Sequence, residues 1–227
     1  MKPTKITGRN IMFTEPAPQW GCDLNIGLIL GAEHNFIIDT GNGSGSVAPV
    51  LEYIGTDTKP IVVINTHHDW DHAAGNWVFE NSMIIAHKLC YELMDKHWDD
   101  MIRWAVEHKC YFMGETRKCL PNLLFENTMQ FPEDGIIIFH SPGHTVDGIS
   151  VYDTVDKVLY TGDCFGVVDG VAQYWGAKED AAGFRLMLET YKQYDFEICV
   201  SGHSEPQTRE VILLLEAALA QISSPIE

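Results

Sequence analysis

Basic residues are scarce in this chain: 15 lysines and arginines stand against 32 aspartates and glutamates, a formal net charge of -17. Without a basic stripe to follow a phosphate backbone, nucleic acid is excluded as an expected partner. The acidic excess serves solubility. Paired cysteines are also missing. Cys22, Cys90, Cys110, Cys119, Cys164 and Cys199 are scattered with no C-x-x-C, and at 227 residues the chain is too long for a small disulfide scaffold, so reduced thiols are expected. No stretch reaches the roughly 18 apolar residues of a membrane span, and the opening "MKPTKITGRNIMF" has no continuous apolar run. No membrane partner is expected, and the cytoplasm is the expected location. No repeat, low-complexity tract or Pro/Gly/Ser linker divides the sequence. With 45% hydrophobic residues, 1–227 reads as one domain with a helical, aromatic-rich insertion at about 88–127.

What the chain does have is a rhythm of short β-branched runs, each closed by Gly, Asp or His. "LNIGLILG" and "HNFIIDTGNG" read as strands joined by a turn, and "SVAPVLEYIG" as a helix that a Gly closes. "KPIVVINT" and "NSMIIAH" read as buried strands, as do "GIIIFHSPGHT", "GISVYDT", "KVLYTGD" and "FEICVSGH". "EPQTREVILLLEAALAQI" is a closing amphipathic helix. Strands that are apolar throughout and alternate with helices predict sheets covered by helices, an α/β architecture.

The densest chemistry lies in "INTHHDWDHAAGN", which places three histidines and two aspartates within six residues. In an extended segment, residues two apart point the same way, so His67, Asp69 and Asp71 are expected to converge while His68 and Trp70 face away. His72 follows at the start of a helix whose small residues allow close approach. Imidazole and carboxylate donors together suit zinc, manganese or iron. Three more donors recur in one context: His144 in "SPGHT", Asp163 in "YTGD" and His203 in "VSGH" each follow a strand and a glycine. The carboxyl ends of buried strands are where open sheets carry their sites.

With these residues the sequence resembles the metallo-β-lactamase fold superfamily of metallohydrolases. Its hallmark is T-H-x-H-x-D-H followed by small residues, a Gly-His, a Gly-Asp and a final Gly-His; Thr66, His67, Asp71, His72, His144, Asp163 and His203 match in order. The resemblance implies an αββα sandwich of two mixed β-sheets with two divalent metal ions, zinc by preference, between the sheet edges. It further implies a first site of His67, Asp69 and His144, a second of Asp71, His72 and His203, and Asp163 as the bridge. The implied activity is that of a hydrolase in which a bridging hydroxide attacks an ester, thioester, lactone or related bond, with Asp71 orienting the nucleophile.

One position departs from the pattern. Asp69 stands where most members have the second histidine, which makes the first site harder and more anionic. This resembles the di-iron flavodiiron branch, and two histidines with a carboxylate admit iron or manganese as well as zinc. The alternative function is therefore a di-iron oxidoreductase acting on a small oxidant with electrons supplied in trans; the chain is too short for a flavodoxin domain and carries no flavin motif.

For His34, His87, His97, His108 and His140 the expectation is ordinary structural burial, and for Cys164 core packing. Asp39, in "IIDTGNG", is expected to end a strand and to hydrogen-bond a ligand loop. The insertion, with Trp104 among its aromatics, reads equally as a lid accepting an anionic or aromatic small-molecule substrate and as a core or homodimer contact. Tyr174 and Trp175, in the loop "DGVAQYWGAKEDAAG", are expected to wall the pocket.

Overall fold

The computed structural model describes residues 1–17, 22–176 and 181–222. A first sheet runs in the order β1-β2-β3-β4-β5-β6-β7, from Lys2–Lys5, Asn10–Ala17, Cys22–Leu30, Asn35–Ile38, Ile61–Ile64, Met83–His87 and Leu123–Phe125. Its β1 to β4 are antiparallel and its β4 to β7 parallel. A second sheet takes β8 (Thr128–Phe131), β9 (Ile136–His140), β10 (Ile149–Asp153), β11 (Val158–Tyr160), β14 (Ile198–Val200) and β15 (Gln207–Thr208), ordered β15-β14-β11-β10-β9-β8. Only β11 and β14 run parallel in it. A separate hairpin joins β12 (Phe165–Val168) to β13 (Val171–Tyr174).

Alternation explains the layering. In β5, "IVVI", Val62 and Ile64 face the second sheet and pack with Ile138, Val151 and Val158, while Val63 faces outward with Val47 and Val50 of helix α1 (Ser44–Ile54). A strand buried on both faces has to be apolar at every position, which is why this run shows no polar alternation. The outer face of the second sheet is covered by α4 (Ala181–Lys192) and α5 (Val211–Ile222), where Phe184, Leu188, Tyr191 and Leu215 bury Phe139 and Leu159. Each fully buried side chain of this kind contributes about 1.5–3 kcal/mol. The result is an αββα sandwich of two mixed sheets.

Three elements differ from expectation. The aromatic-rich region is helical only as α3 (Lys88–Glu107). The following run is instead strapped to α1, with the Ser44 amide donating to the Glu115 carbonyl and the Gly45 amide to Met113, and it re-enters the first sheet as β7. The stretch after Asp163 is the β12–β13 hairpin rather than a loop; its residues 177–180 lie outside the described ones. The closing helix begins at Val211, because Gln207–Thr208 pairs with β14. Cys90, Cys110, Cys119, Cys164 and Cys199 are unbridged, and no helix among the described residues is long and apolar enough to cross a membrane.

Candidate metal centre

Strands β5, β9, β11 and β14 end on the same edge of the sandwich, and the segment leaving each carries donors. After β5 the chain bends at Thr66–His68, is extended at Asp69 (φ -62°, ψ 141°) and then turns into α2 (Trp70–Ala73). His67 and Asp69 come together, with Nε2 and Oδ2 3.4 Å apart, while Asp71 and His72 reach the site from the first helical turn. Beyond β9 the "SPGHT" turn brings His144 Nε2 to 3.2 Å from Asp69 Oδ2. Asp163, after β11, stands between three imidazoles: its Oδ2 lies 3.0 Å from His203 Nε2, 3.3 Å from His72 Nε2 and 4.0 Å from His67 Nε2. All seven expected donors thus meet. They form three overlapping groups, His67/Asp69/His144, His67/His72/Asp163 and Asp71/His72/His203, with donor atoms within 4.8 Å of one another in each.

The backbone is shaped for this approach. A Cβ on Gly202 would fall 2.1 Å from Asp163 Oδ1 and 2.8 Å from His72 Cε1, so no larger residue fits beside Asp163 without a shift. Gly162 has φ +55°, a left-handed conformation that glycine adopts freely, and presents its Cα side to Thr66.

Every histidine of the set is oriented from behind. His144 Nδ1 donates to the Trp175 carbonyl at 2.8 Å and His203 Nδ1 to the Asp23 carbonyl at 2.7 Å. His72 Nδ1 donates to Asp39 Oδ2 at 2.8 Å. His67 Nδ1 donates to the Thr66 hydroxyl at 3.0 Å, which itself donates to the same Asp39 oxygen. With the hydrogen fixed on Nδ1, each neutral ring aims the lone pair of Nε2 into the centre, the tautomer that metal ligation requires. Asp39, expected at a strand end, holds two of the four rings.

Fit to a cation follows from what these lone pairs meet. Buried His67 Nε2 and Asp163 Oδ1 have no hydrogen-bond partner, and an orphaned buried polar atom costs on the order of 1–3 kcal/mol. His72 Nε2 and His203 Nε2 face each other at 3.4 Å although both rings donate through Nδ1. A cation among them satisfies all these lone pairs at once, and oxygen with imidazole nitrogen is the donor chemistry of zinc, manganese and iron.

The charges are strongly coupled. Burial raises the Asp69 carboxyl, but the imidazoles of His144, His67 and His68 around it together hold the group far below the usual carboxylate range. Asp163 is likewise raised by burial and driven well down by His72 and His203. Burial lowers His144, while Asp69 and Asp163 raise it further, to about 8.

The centre opens into a pocket of about 960 Å³. One wall is the face of α3 carrying Leu93, His97, Met101 and Trp104; the other is Val168, Gln173 and Trp175 of the hairpin and its exit. Trp104 and Trp175 stand where expected. Tyr174 does not: neighbours on a strand point opposite ways, so its ring stacks on Phe184 at 4.4 Å and its hydroxyl donates to the Gly143 carbonyl at 3.0 Å. His68, expected to face away, lines the pocket, and its Nδ1 donates to the fully buried Asp147 at 2.9 Å. Trp70 touches the pocket but packs chiefly on Ala105, Cys110 and Phe112. His97, expected to be structural, also lines the pocket, whereas His34 pairs with Asp134 and His87 stacks on His140. Asp147 was missed although it stands three residues after His144 in "GHTVDG"; that proximity was the available signal, and its burial is visible only in the structure.

The sandwich and the donor edge define a class, and comparison with known proteins agrees. The sequence profile of the metallo-beta-lactamase superfamily matches residues 20–203. The chain belongs to this superfamily. It is similar to the acyl-coenzyme A thioesterase MBLAC2 of Gallus gallus, 23% identical over 173 residues that cover 66% of this chain and 60% of that protein. The Homo sapiens thioesterase of the same name is 23% identical over 172 residues, covering 66% and 61%. The chain thus spans about 60% of the length of the curated relatives it matches. Among solved structures, DIM-1 metallo-beta-lactamase exposed to ceftazidime superposes with a TM-score of 0.76 at 16% identity, covering 98% of this chain and 97% of that one. A metallo-beta-lactamase from Pontibacter korlensis gives 0.72 at 20% identity, covering 96% and 98%. At such identities the likeness shows the fold.

Proposed function

We propose that the protein is a hydrolase with a dinuclear metal centre that cleaves an ester, thioester, lactone or related bond of a small molecule. The observation that carries this reading is the convergence of four Nε2 lone pairs and three carboxylates on one pocket floor, with every ring locked from behind. His67, Asp69 and His144 would hold one ion, Asp71, His72 and His203 the other, and Asp163 both. Bound there, two divalent cations supply an acidified water and polarise the scissile carbonyl.

The chain's own residues do the rest. Asp71 Oδ2, 3.6 Å from His203 Nε2, accepts a hydrogen bond from the attacking water and fixes its direction. Trp104 and Trp175 confine the substrate and exclude solvent. In the reaction, water oxygen bonds to the acyl carbon, the bond from carbon to sulfur or oxygen breaks, and the leaving thiol or alcohol takes up the proton. A thioester is favoured among the alternatives by the names of the curated relatives, acyl-coenzyme A thioesterases.

The test is a panel of ester, thioester, lactone and phosphodiester substrates assayed on protein as purified, after chelation, and after zinc or manganese is restored. Turnover that chelation abolishes and metal restores supports the reading. No turnover with any substrate by a metal-loaded protein overturns it.

Asp69 favours one other reading. A carboxylate placed 3.4 Å from His67 and 3.2 Å from His144 suits iron, which would make the protein a di-iron oxidoreductase reducing a small oxidant with electrons from a partner. About two irons per chain with a visible absorption band would establish that reading over hydrolysis.

A further inference from the structure

Resting on the hydrolase reading, we infer that the pocket selects a substrate whose portion remote from the scissile bond is apolar and uncharged. The walls decide this. Leu93, His97, Met101 and Trp104 recur at helical spacing along α3, and Val168, Gln173 and Trp175 oppose them. No lysine or arginine lines the pocket among the described residues. Its carboxylates are Asp69, Asp71, Asp163 and Asp100. The first three belong to the donor set, where two divalent cations, once bound, would offset them. Asp100 is turned outward and paired with Arg103 at 2.8 Å.

Of the basic residues of this region, Lys96 and Lys109 do not line the pocket, Arg103 is held by Asp100, and three more are paired elsewhere. Lys88 pairs with Glu126, Lys118 with Asp95, and Arg117 with Glu115 while its guanidinium covers Trp77. An anionic group carried away from the reacting carbonyl would therefore lie against Leu93, Met101 and Trp104 with no lysine or arginine beside it among the described residues, in a chain of strongly acidic net charge. An alkyl or aryl group in the same place exchanges water for apolar contact. The phosphates of a coenzyme A thioester, if such a substrate is used, find no lysine or arginine among the described residues of this pocket.

Two predictions of rate follow. Lengthening an uncharged acyl chain raises kcat/KM by up to about fourfold per methylene until the pocket is filled. Adding a terminal carboxylate to that chain lowers it by at least about tenfold.

The test compares one acyl group presented as a neutral N-acetylcysteamine thioester and as the coenzyme A thioester, and one acyl chain with and without a terminal carboxylate. The ratio of kcat/KM values within one preparation is independent of the fraction folded. Leu93→Arg is expected to swing both ratios toward the anion by at least about tenfold, and Met101→Lys is the second variant should the first fold poorly. Binding is read in parallel with N-phenyl-1-naphthylamine and its sulfonated counterpart 8-anilino-1-naphthalenesulfonate, which need no turnover. The neutral probe should bind at least about tenfold more tightly, with the preference reversed in Leu93→Arg.

Equal or better use of the anionic substrates, or tighter binding of the sulfonate by the unaltered protein, overturns the inference. Absence of turnover with the probe preference intact would overturn the hydrolase reading and leave the inference about the pocket standing.

Discussion

Asp39→Asn isolates the support behind the metal centre. Asp39 has φ +63°, a left-handed conformation that asparagine also tolerates, so the backbone is undisturbed. The carboxylate accepts three hydrogen bonds: the Thr66 amide at 2.7 Å on Oδ1, and the Thr66 hydroxyl at 2.7 Å with His72 Nδ1 at 2.8 Å on Oδ2. An amide has one acceptor oxygen. If that oxygen keeps the Thr66 amide, the new NH2 group faces two donors, and His72 can escape only by moving its hydrogen to Nε2, the atom 3.3 Å from Asp163 Oδ2. The proton then occupies the lone pair offered to the metal. Losing one hydrogen bond to a charged acceptor costs about 1.5–3 kcal/mol, which at about 1.4 kcal/mol per decade corresponds to roughly 10- to 100-fold in metal affinity. Competition titration against a chromogenic chelator measures it, with denaturant unfolding of the metal-free protein as the control for stability. A metal affinity within about twofold of the unaltered protein would refute the proposed support, since the twofold margin lies well below that range.

Asp71→Ala and His72→Ala are each expected to lose the ion at their site and nearly all turnover, measured by metal content and initial rates; full retained activity would sink the dinuclear reading. Asp69→His should shift the preference from iron or manganese toward zinc, and unchanged metal content in the variant would count against the ligand-type argument. Gly202→Ala forces a methyl group to within 2.1 Å of Asp163 Oδ1 and is expected to weaken metal binding while the far-ultraviolet circular dichroism stays unchanged. In metal-free protein the raised His144 titration has a definite sign. A group lifted from 6.5 to about 8 on folding stabilises fully below the lower value and ceases to do so as pH rises through the upper one. Stability should therefore fall by up to about 2 kcal/mol between pH 6 and 9 in denaturant titrations with chelator present, and a flat profile would contradict the His144–Asp69 contact.

The donor residues were legible because their context is local. His67, His144, Asp163 and His203 each follow an apolar run and a turn, and strand ends on one edge converge whatever the rest of the chain does. Asp71 and His72 were legible as donors, but not as members of a helical turn. The bends at Thr66–His68, ahead of that turn, are why alternation misplaced His68, which lines the pocket instead of facing away. Tyr174 was misplaced for the opposite reason. A stretch with Gly170 and Gly176 looked like a loop, and only the pairing of Phe165 with Tyr174 makes it a strand with two distinct faces. Strand β2 escaped notice because "NIMFTEPA" mixes Pro16 and buried Glu15 into its run, polar choices whose partners, Asn42 among them, lie elsewhere in sequence. The length of α3 was overread because aromatics continue past Glu107, whereas Lys109, at φ +56°, ends the helical run and the backbone beyond it turns to α1 for its hydrogen bonds.

The central claim is that seven side chains from four strand ends make one centre for two cations. Elemental analysis of protein purified without added metal or chelator, with zinc, iron and manganese measured together against protein concentration, tests it most directly. The account predicts about two ions per chain, falling to about one in Asp71→Ala. A well-folded protein that carries none, and that takes up none when zinc, manganese or ferrous iron is supplied, would contradict it.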